Sequence, residues 1–338
     1  MKVNVCIVTF PLSEAGYTPL SNLVNLLSRL ANKVYVVSGG AALEKLENSK
    51  LDINVQAVKV IHRVSSKPLM RIINYLHTQL KIMQCVIGVS RDADLFVFSI
   101  GGEGLILPFL LLKLIGKKLL LMPGGVGTKV ASIKTDPLSK FMSVLVNLNF
   151  NLADRLVIYS RRLIQEANIS RYQYKINTTK HHFMDFTKFA VKKKIGERPN
   201  SVGYIGRFSK EKGILNLVKA IPIVLKHRKN IRVVLCGEGE LFDEIRYIIC
   251  HEGLNQYVEL RGWVSHQAVS YYLNEFKLLV LPSYTEGLPN ILLEAMACGT
   301  PVLTTPVGAI PDIIKDGETG FLLRSNDPKH IAERIVEL

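Results

Sequence analysis

Cysteine is scarce in this chain of 338 residues: Cys6, Cys85, Cys236, Cys250 and Cys298 are scattered, and none forms a CxxC pair. That pattern excludes a disulfide scaffold or a cysteine-based zinc module and suits reduced, buried thiols. Trp263 is the single tryptophan. No apolar run reaches the roughly 18–20 uninterrupted residues of a bilayer span. The nearest, Leu105–Leu121, is broken by Pro108, Lys113, Lys117 and Lys118 and reads as a buried helix followed by a buried strand. The opening MKVNVCIVTF has a strand pattern and lacks a signal-peptide layout, so the expected location is cytoplasmic. Gly237-Glu238-Gly239 lacks the third glycine of a dinucleotide fingerprint, which argues against a nicotinamide enzyme. No zinc module, RNP-like aromatic strip or basic-region heptad occurs, which argues against nucleic acid as a partner.

Acidic residues are also in short supply, 28 against 43 Lys and Arg, for a net charge of +15. The excess is not spread evenly. Residues 1–195 hold 27 Lys and Arg against 11 Asp and Glu, a net +16, whereas residues 196–338 hold 16 against 17. The first part therefore calls for an anionic partner, such as a membrane surface or a phosphorylated substrate.

What is present is a globular composition, 48% hydrophobic and 21% charged, on a chain long enough for two domains. In the first part, apolar strands at Lys2–Phe10, Lys33–Ser38, Asp52–Ile61, Leu95–Ser99, Lys118–Met122 and Arg155–Tyr159 alternate with helices. The helices fall at Leu20–Leu30, Pro68–Gly88, Gly104–Ile115 and near Pro137–Leu152. In the first of them Leu23, Leu26, Leu27 and Leu30 are expected to share the buried face. The second part repeats the alternation from Val202–Ile205 to Pro328–Leu338. Strands alternating with helices predict parallel βαβ units. The polar, basic stretch between about Lys180 and Pro199 is the expected linker, giving domains 1–190 and 191–338. Open parallel sheets bind ligands at the carboxyl ends of their strands, so a cleft between two facing domains is the expected site.

Two segments carry chemistry. In Glu286-Gly-Leu-Pro-Asn-Ile-Leu-Leu-Glu294, two glutamates are separated by seven residues, the first in a loop after an apolar strand and the second about one turn into a helix. A helix N-terminus offers free N–H groups and the positive end of a dipole to an anion, and flanking carboxylates accept hydroxyls of a sugar or ribose. In Gly206-Arg207-Phe208-Ser209-Lys210-Glu211-Lys212-Gly213, a strand end is followed by two cations suited to phosphate. Taken alone, the first is equally readable as a capped helix with two solvated glutamates, and the second as a solvated basic turn.

Together these segments resemble the group 1 family of retaining glycosyltransferases with the GT-B fold. Gly203–Gly213, Cys236-Gly-Glu-Gly-Glu240, Arg261-Gly-Trp263 and Pro282 through Gly320 follow that pattern in order, over roughly residues 200–325. The resemblance is weaker but continuous over 1–199, where Ala153–Ser160 looks like the strand that ends the family's first domain. It implies an α/β chain of two Rossmann-like, doubly wound parallel-sheet domains facing across a cleft. The N-terminal domain would bind the acceptor and the C-terminal one a nucleoside-diphosphate sugar. By the resemblance Arg207 and Lys212 neutralise the diphosphate, helped by the backbone of Gly287 and Leu288. Glu286 holds sugar hydroxyls, Glu294 the ribose, and Gly262 and Trp263 pack on the base. Gly206, Gly237, Pro289 and Asn290 complete the donor set, with Glu286, Arg207 and Lys212 as its catalytic members. No metal or cofactor is implied, since cations and a helix dipole stabilise the departing diphosphate.

The first domain departs from the family pattern. Its first loop has one glycine, Gly16, where a pair is usual, and Met122-Pro123-Gly124-Gly125 lacks the usual His. Gly16, Gly124 and Gly125 are expected in acceptor- or sugar-facing loops, and no catalytic role is assigned to them. His181-His182-Phe183-Met184-Asp185 replaces the usual linker motif and reads as a turn and not as a metal pair. Asp92-Ala93-Asp94 precedes its strand and reads as a solvated turn. The family pattern runs past Leu338, so the resemblance implies a C-terminal truncation. Lys67–Lys81 can form a helix with Pro68, Met70, Ile72, Ile73, Leu76 and Leu80 on one side and Arg71, His77 and Lys81 near its edge. That pattern suits either a plain surface helix or one that meets anionic lipid.

The expected activity is transfer of a sugar from a UDP- or GDP-sugar to a lipid-linked or cell-surface glycan acceptor, by a protein peripheral on the inner membrane face. A sugar-phosphate synthase with a soluble acceptor, or a degenerate donor-binding protein, are the alternatives.

Overall fold

The computed structural model describes residues 3–49, 55–62, 65, 67–123, 137–179 and 184–338. The chain divides into two compact units, Met1–Phe183 and Met184–Leu338.

Unit 1 is built on strands β1 (Val5–Val8), β2 (Val34–Ser38), β3 (Val55–Lys59), β4 (Leu95–Ser99), β5 (Lys118–Met122), β6 (Arg155–Ile158) and β7 (Ile176–Thr178). They form one sheet in the order β3-β2-β1-β4-β5-β6-β7, with every pairing parallel. Central strands of a parallel sheet are covered on both faces, which is why Val5–Val8 and Val34–Ser38 are buried at every position. The edge strand β3 is only half buried.

The first helix, Tyr17–Leu30, buries Leu20, Leu23 and Val24 against this sheet, with Leu27 partly buried beside them. Leu26 and Leu30 are exposed. The expected face of Leu23, Leu26, Leu27 and Leu30 is thus corrected. The helix starts three residues earlier than expected, and its core stripe follows positions 20, 23, 24 and 27, at spacings three, four and seven. The short helix Ala41–Glu47, the helix Arg161–Glu166 and the strand β7 were not anticipated.

The helix Pro68–Val89 is inverted in character. Leu69, Met70, Ile72, Ile73, Leu76 and Leu80 are 40–69% exposed. Its inward side carries Tyr75, whose hydroxyl donates to the Gly104 carbonyl at 2.5 Å, and then Thr78 and Gln79, both fully buried, before Ile82 and Val86.

Unit 2 carries β8 (Ser201–Ile205), β9 (Arg232–Cys236), β10 (Val258–Gly262), β11 (Leu278–Leu281), β12 (Val302–Thr304) and β13 (Phe321–Leu322). Their order is β10-β9-β8-β11-β12-β13, again parallel throughout. Tyr204, Phe208, Leu217, Leu235, Val280 and Ile331 belong to one core between sheet and helices. In each sheet the order reverses direction beside the first strand, between β1 and β4 in unit 1 and between β8 and β11 in unit 2. The loops that follow such a strand pair diverge and leave a crevice for ligand.

Arg198 fastens the start of unit 2. It is buried, and its guanidinium donates to the carbonyls of Lys193, Leu273, Phe276 and Cys298 and to the Thr300 hydroxyl, at 2.7–3.1 Å. Leu273 and Phe276 lie at the carboxyl end of helix His266–Glu275, and Cys298 follows helix Asn290–Ala297. One cation therefore takes up the orphan carbonyls of both helices.

Candidate functional site

The reversal between β8 and β11 brings the two predicted segments together. Arg207 and Lys212 follow β8, and Glu286 follows β11. The Lys212 ammonium lies 2.6 and 2.8 Å from the two carboxylate oxygens of Glu286, and the Ser283 hydroxyl donates to Oε1 at 2.8 Å. The pair is largely shielded, with side-chain exposures of 25% for Lys212 and 9% for Glu286. Cation and carboxylate, which the sequence offered as separate phosphate and sugar ligands, are paired with each other.

The loops are fixed by their backbones. Gly213 sits at φ +66° with its Cα against the Pro282 carbonyl, so a β-carbon would collide. Gly308, at φ +61°, packs in the same way against the carbonyls of Glu286 and Gly287, and Ala309 donates to the Gly287 carbonyl at 2.8 Å. The Tyr284 amide donates to the Glu211 carbonyl at 2.9 Å, joining the two loops. Tyr204, buried beneath them, donates to the Arg207 carbonyl at 2.8 Å. Burial, with the Glu286 and Glu211 carboxylates nearby, holds its phenol well above the usual range. Arg207 itself projects outward, and Glu211 lies 3.5 Å from its guanidinium.

Gly206, Gly237 and Gly262 stand side by side at the carboxyl ends of β8, β9 and β10. The Gly206 amide donates to the Cys236 carbonyl at 3.0 Å and the Gly237 amide to the Gly262 carbonyl at 2.6 Å. Trp263 follows and is exposed. Next to Glu286, the amides of Gly287 and Leu288 meet no acceptor among the described residues. Leu288 packs its side chain inward, and Pro289 is the N-cap of helix Asn290–Ala297 without a side-chain cap. A row of backbone donors at that helix start is therefore open to an anion.

Glu294 lies within that helix and is buried. Its Oε1 is 2.8 Å from Nε2 of His266, the first residue of helix His266–Glu275, and the His266 ring packs 5.2 Å from the ring of Phe189. Neither Ser283 nor His266 was singled out from sequence. His266 carries no local signal, because its relevance depends on two helices packing side by side.

In unit 1, Gly16 closes a short turn after β1 with its amide donating to the Ser13 carbonyl at 2.9 Å. Gly124, Gly125, His181 and His182 lie outside the described residues. Asp94 accepts from the Asn4 amide at 2.8 Å, tying that turn to the start of β1. The segment that follows β4 is tied to two helices by buried polar side chains. Asn149 donates to the Glu103 carbonyl and Gln79 accepts from the Leu107 amide, both at 2.9 Å. Glu103 Oε2, Gln79 Nε2 and Asn149 Oδ1 are buried without a partner among the described residues. Burial raises the Glu103 carboxyl above the ordinary range, against the opposing pull of backbone N–H groups.

The family profile "Glycosyl transferases group 1" matches residues 185–338. The chain is 36% identical over 140 residues to the capsular polysaccharide biosynthesis glycosyltransferase CapM of Staphylococcus aureus, covering 40% of this chain and 36% of CapM. It is 25% identical over 238 residues to the N-acetyl-alpha-D-glucosaminyl L-malate synthase of Bacillus anthracis, covering 68% and 61%. The chain thus spans from about a third to three fifths of these relatives' lengths. Among solved structures, Anabaena HepE in complex with UDP and glucose superposes with a TM-score of 0.75 at 15% identity, covering 98% of this chain and 89% of that one. That likeness shows the fold, of the GT-B type.

Proposed function

We propose that this chain, whose residues 185–338 match the glycosyl transferases group 1 profile, moves a sugar from a UDP- or GDP-sugar to a lipid-linked or cell-surface glycan acceptor with retention of anomeric configuration. The observation that carries the reading is the meeting of Lys212 and Glu286 at the point where the second sheet reverses, beside the open amides of Gly287 and Leu288.

The chemistry follows from the charges. Cleavage of the anomeric C–O bond leaves negative charge on the departing diphosphate. Fixed N–H groups and cations stabilise that charge because they are already oriented and shielded from water. When a diphosphate enters, Lys212 shares its ammonium between phosphate and Glu286. The carboxylate then turns spare lone pairs to sugar hydroxyls, while Ser283 keeps it in place. Arg207 supplies a second, more mobile cation from the rim. Glu294 takes the ribose, and Trp263 with the Gly206–Gly237–Gly262 row lies where a base can stack close to backbone. No metal or other cofactor takes part in this reading.

The acceptor half rests on unit 1. The net +16 over residues 1–195 is surplus to a donor site in the nearly neutral remainder. The inverted helix Pro68–Val89 turns a stripe of large apolar side chains outward, with Lys67, Arg71, His77 and Lys81 along it. Apolar insertion flanked by cations is how a helix lies on an anionic lipid surface. No described helix is long and apolar enough to cross a membrane, and the proposed attachment is peripheral, at the cytoplasmic face.

The test is a donor screen against lipid extracts, with release of UDP or GDP measured and the glycosylated product identified by mass spectrometry. Wild type is expected to turn over one donor, and Arg207→Ala and Glu294→Ala to lose most of that turnover. Unchanged turnover in both variants rejects the site. Transfer only to soluble sugar phosphates rejects the acceptor class, and donor binding without transfer to any acceptor rejects the enzyme reading.

A further inference from the structure

We infer that His266 is the positioning residue for Glu294, holding one carboxylate oxygen so that the other faces the ribose diol of the donor; this rests on the donor site proposed above. Three observations carry it. Glu294 is a shielded carboxylate, 7% exposed, with Oε1 held at 2.8 Å by His266 Nε2. An ionised carboxylate only accepts, so the imidazole donates from Nε2–H. Oε2 makes no hydrogen bond among the described residues, which leaves lone pairs for a ligand hydroxyl.

The ring is itself held in place. Phe189, fully buried, packs against it at 5.2 Å. The backbone around Phe189 is laced to the helix that carries His266. Ser270 donates to the Lys188 carbonyl at 2.7 Å, Asn274 Nδ2 to the Ala190 carbonyl at 3.1 Å, and the Lys192 amide to Asn274 Oδ1 at 2.7 Å. The segment that opens unit 2 thus sets a helix, the helix sets an imidazole, and the imidazole sets the glutamate. A carboxylate that reaches a ribose from the middle of a helix has rotamers to spare, and fixing one oxygen removes most of them before the ligand arrives.

The experiment measures affinity of UDP and GDP, and of their 2′,3′-dideoxy analogues, for wild type, His266→Ala, His266→Gln and Phe189→Leu, with thermal melts of each. Wild type is expected to prefer the ribonucleotide. His266→Ala is expected to lose about ten-fold or more of that preference, the scale of one hydrogen bond to a charged group, with little change for the dideoxy analogue. His266→Gln keeps an N–H donor and is expected to recover much of the preference. Phe189→Leu should fall between them. An equal ribose preference in wild type and both His266 variants overturns the positioning role while leaving the donor site standing. Tighter ribonucleotide binding by His266→Ala also overturns it, because His266 would then compete with the ribose. A wild type that binds none of the four nucleotides overturns the donor site, and the positioning role falls with it.

Discussion

Lys212 and Glu286 bring opposite charges together at the carboxyl ends of two neighbouring strands. Each is shielded enough that an unpaired partner would be costly, and each is the other's counter-ion. Lys212→Met is therefore expected to lower kcat by about 10²–10³-fold, as for loss of one fixed charge-stabilising donor. It should also destabilise the fold by roughly 1–3 kcal/mol, because Glu286 is left buried without its cation. Adding Glu286→Gln should restore the melting temperature but not turnover; recovery of both would show the pair to be purely structural.

A second residue-scale prediction concerns Glu103. Its folded carboxyl titrates higher than an unfolded one, so its neutral form is the one the fold accommodates. The stability it contributes is complete below the unfolded value, about 4.3, and is lost as pH rises through the folded value. Glu103→Gln should therefore melt higher than wild type at neutral pH and no differently at about pH 4. A constant difference across that range would contradict the assignment. Residues of the first kind were legible in sequence because Arg207, Lys212 and Glu286 are polar groups in loops after apolar strands, and Glu294 follows Glu286 at a recognisable spacing one turn into a helix. Glu103 and His266 were not, because burial and partnership are properties of packing.

At the scale of elements, the strands were legible to within a few residues, since short runs such as VCIV and LLVL have no other stable place than a covered parallel sheet. Short pieces were not. Ala41–Glu47 and Ile176–Thr178 are too brief to show a period, and only their neighbours stabilise them. The register of helix Tyr17–Leu30 was misread because four leucines admit two stripes and only the helix start decides between them.

Arg198 acts at this scale as well, joining the ends of helices His266–Glu275 and Asn290–Ala297. Arg198→Ala strands several buried carbonyls and is expected to cost at least ~3 kcal/mol. For a unit of this size that is a fall on the order of 6–12 °C in melting temperature. A melt within a degree or two of wild type would show that water replaces the clamp. The inverted helix Pro68–Val89 gives the opposite expectation. Ile73→Asp with Leu76→Asp should leave the melt unchanged, since both side chains are exposed, yet abolish flotation with anionic vesicles. Retained flotation would place the lipid contact elsewhere.

At the scale of the whole molecule, the division of charge and the division of structure coincide only in part. Residues 1–195 carry the basic excess, and the structural division falls between Phe183 and Met184. Lys188, Lys192, Lys193 and Lys194 thus belong to unit 2, where Lys193 pairs with Glu275 at 3.0 Å. The two-sheet plan was legible from alternation alone, while the reversal of strand order that creates each crevice was not, because strand order is not written in chain order. That reversal is the physical reason residues 74 positions apart, Lys212 and Glu286, share one site.

The proposed donor site requires a diphosphate at the reversal between β8 and β11. The most direct measurement is calorimetric affinity of UDP and GDP against UMP and GMP, for wild type and Lys212→Met at equal ionic strength. Wild type is expected to prefer one of the diphosphates over its monophosphate by at least about ten-fold, the scale of a charge-assisted contact. Lys212→Met should bind the two alike. A preference that survives Lys212→Met unchanged, or that is absent from wild type, would contradict the proposed site.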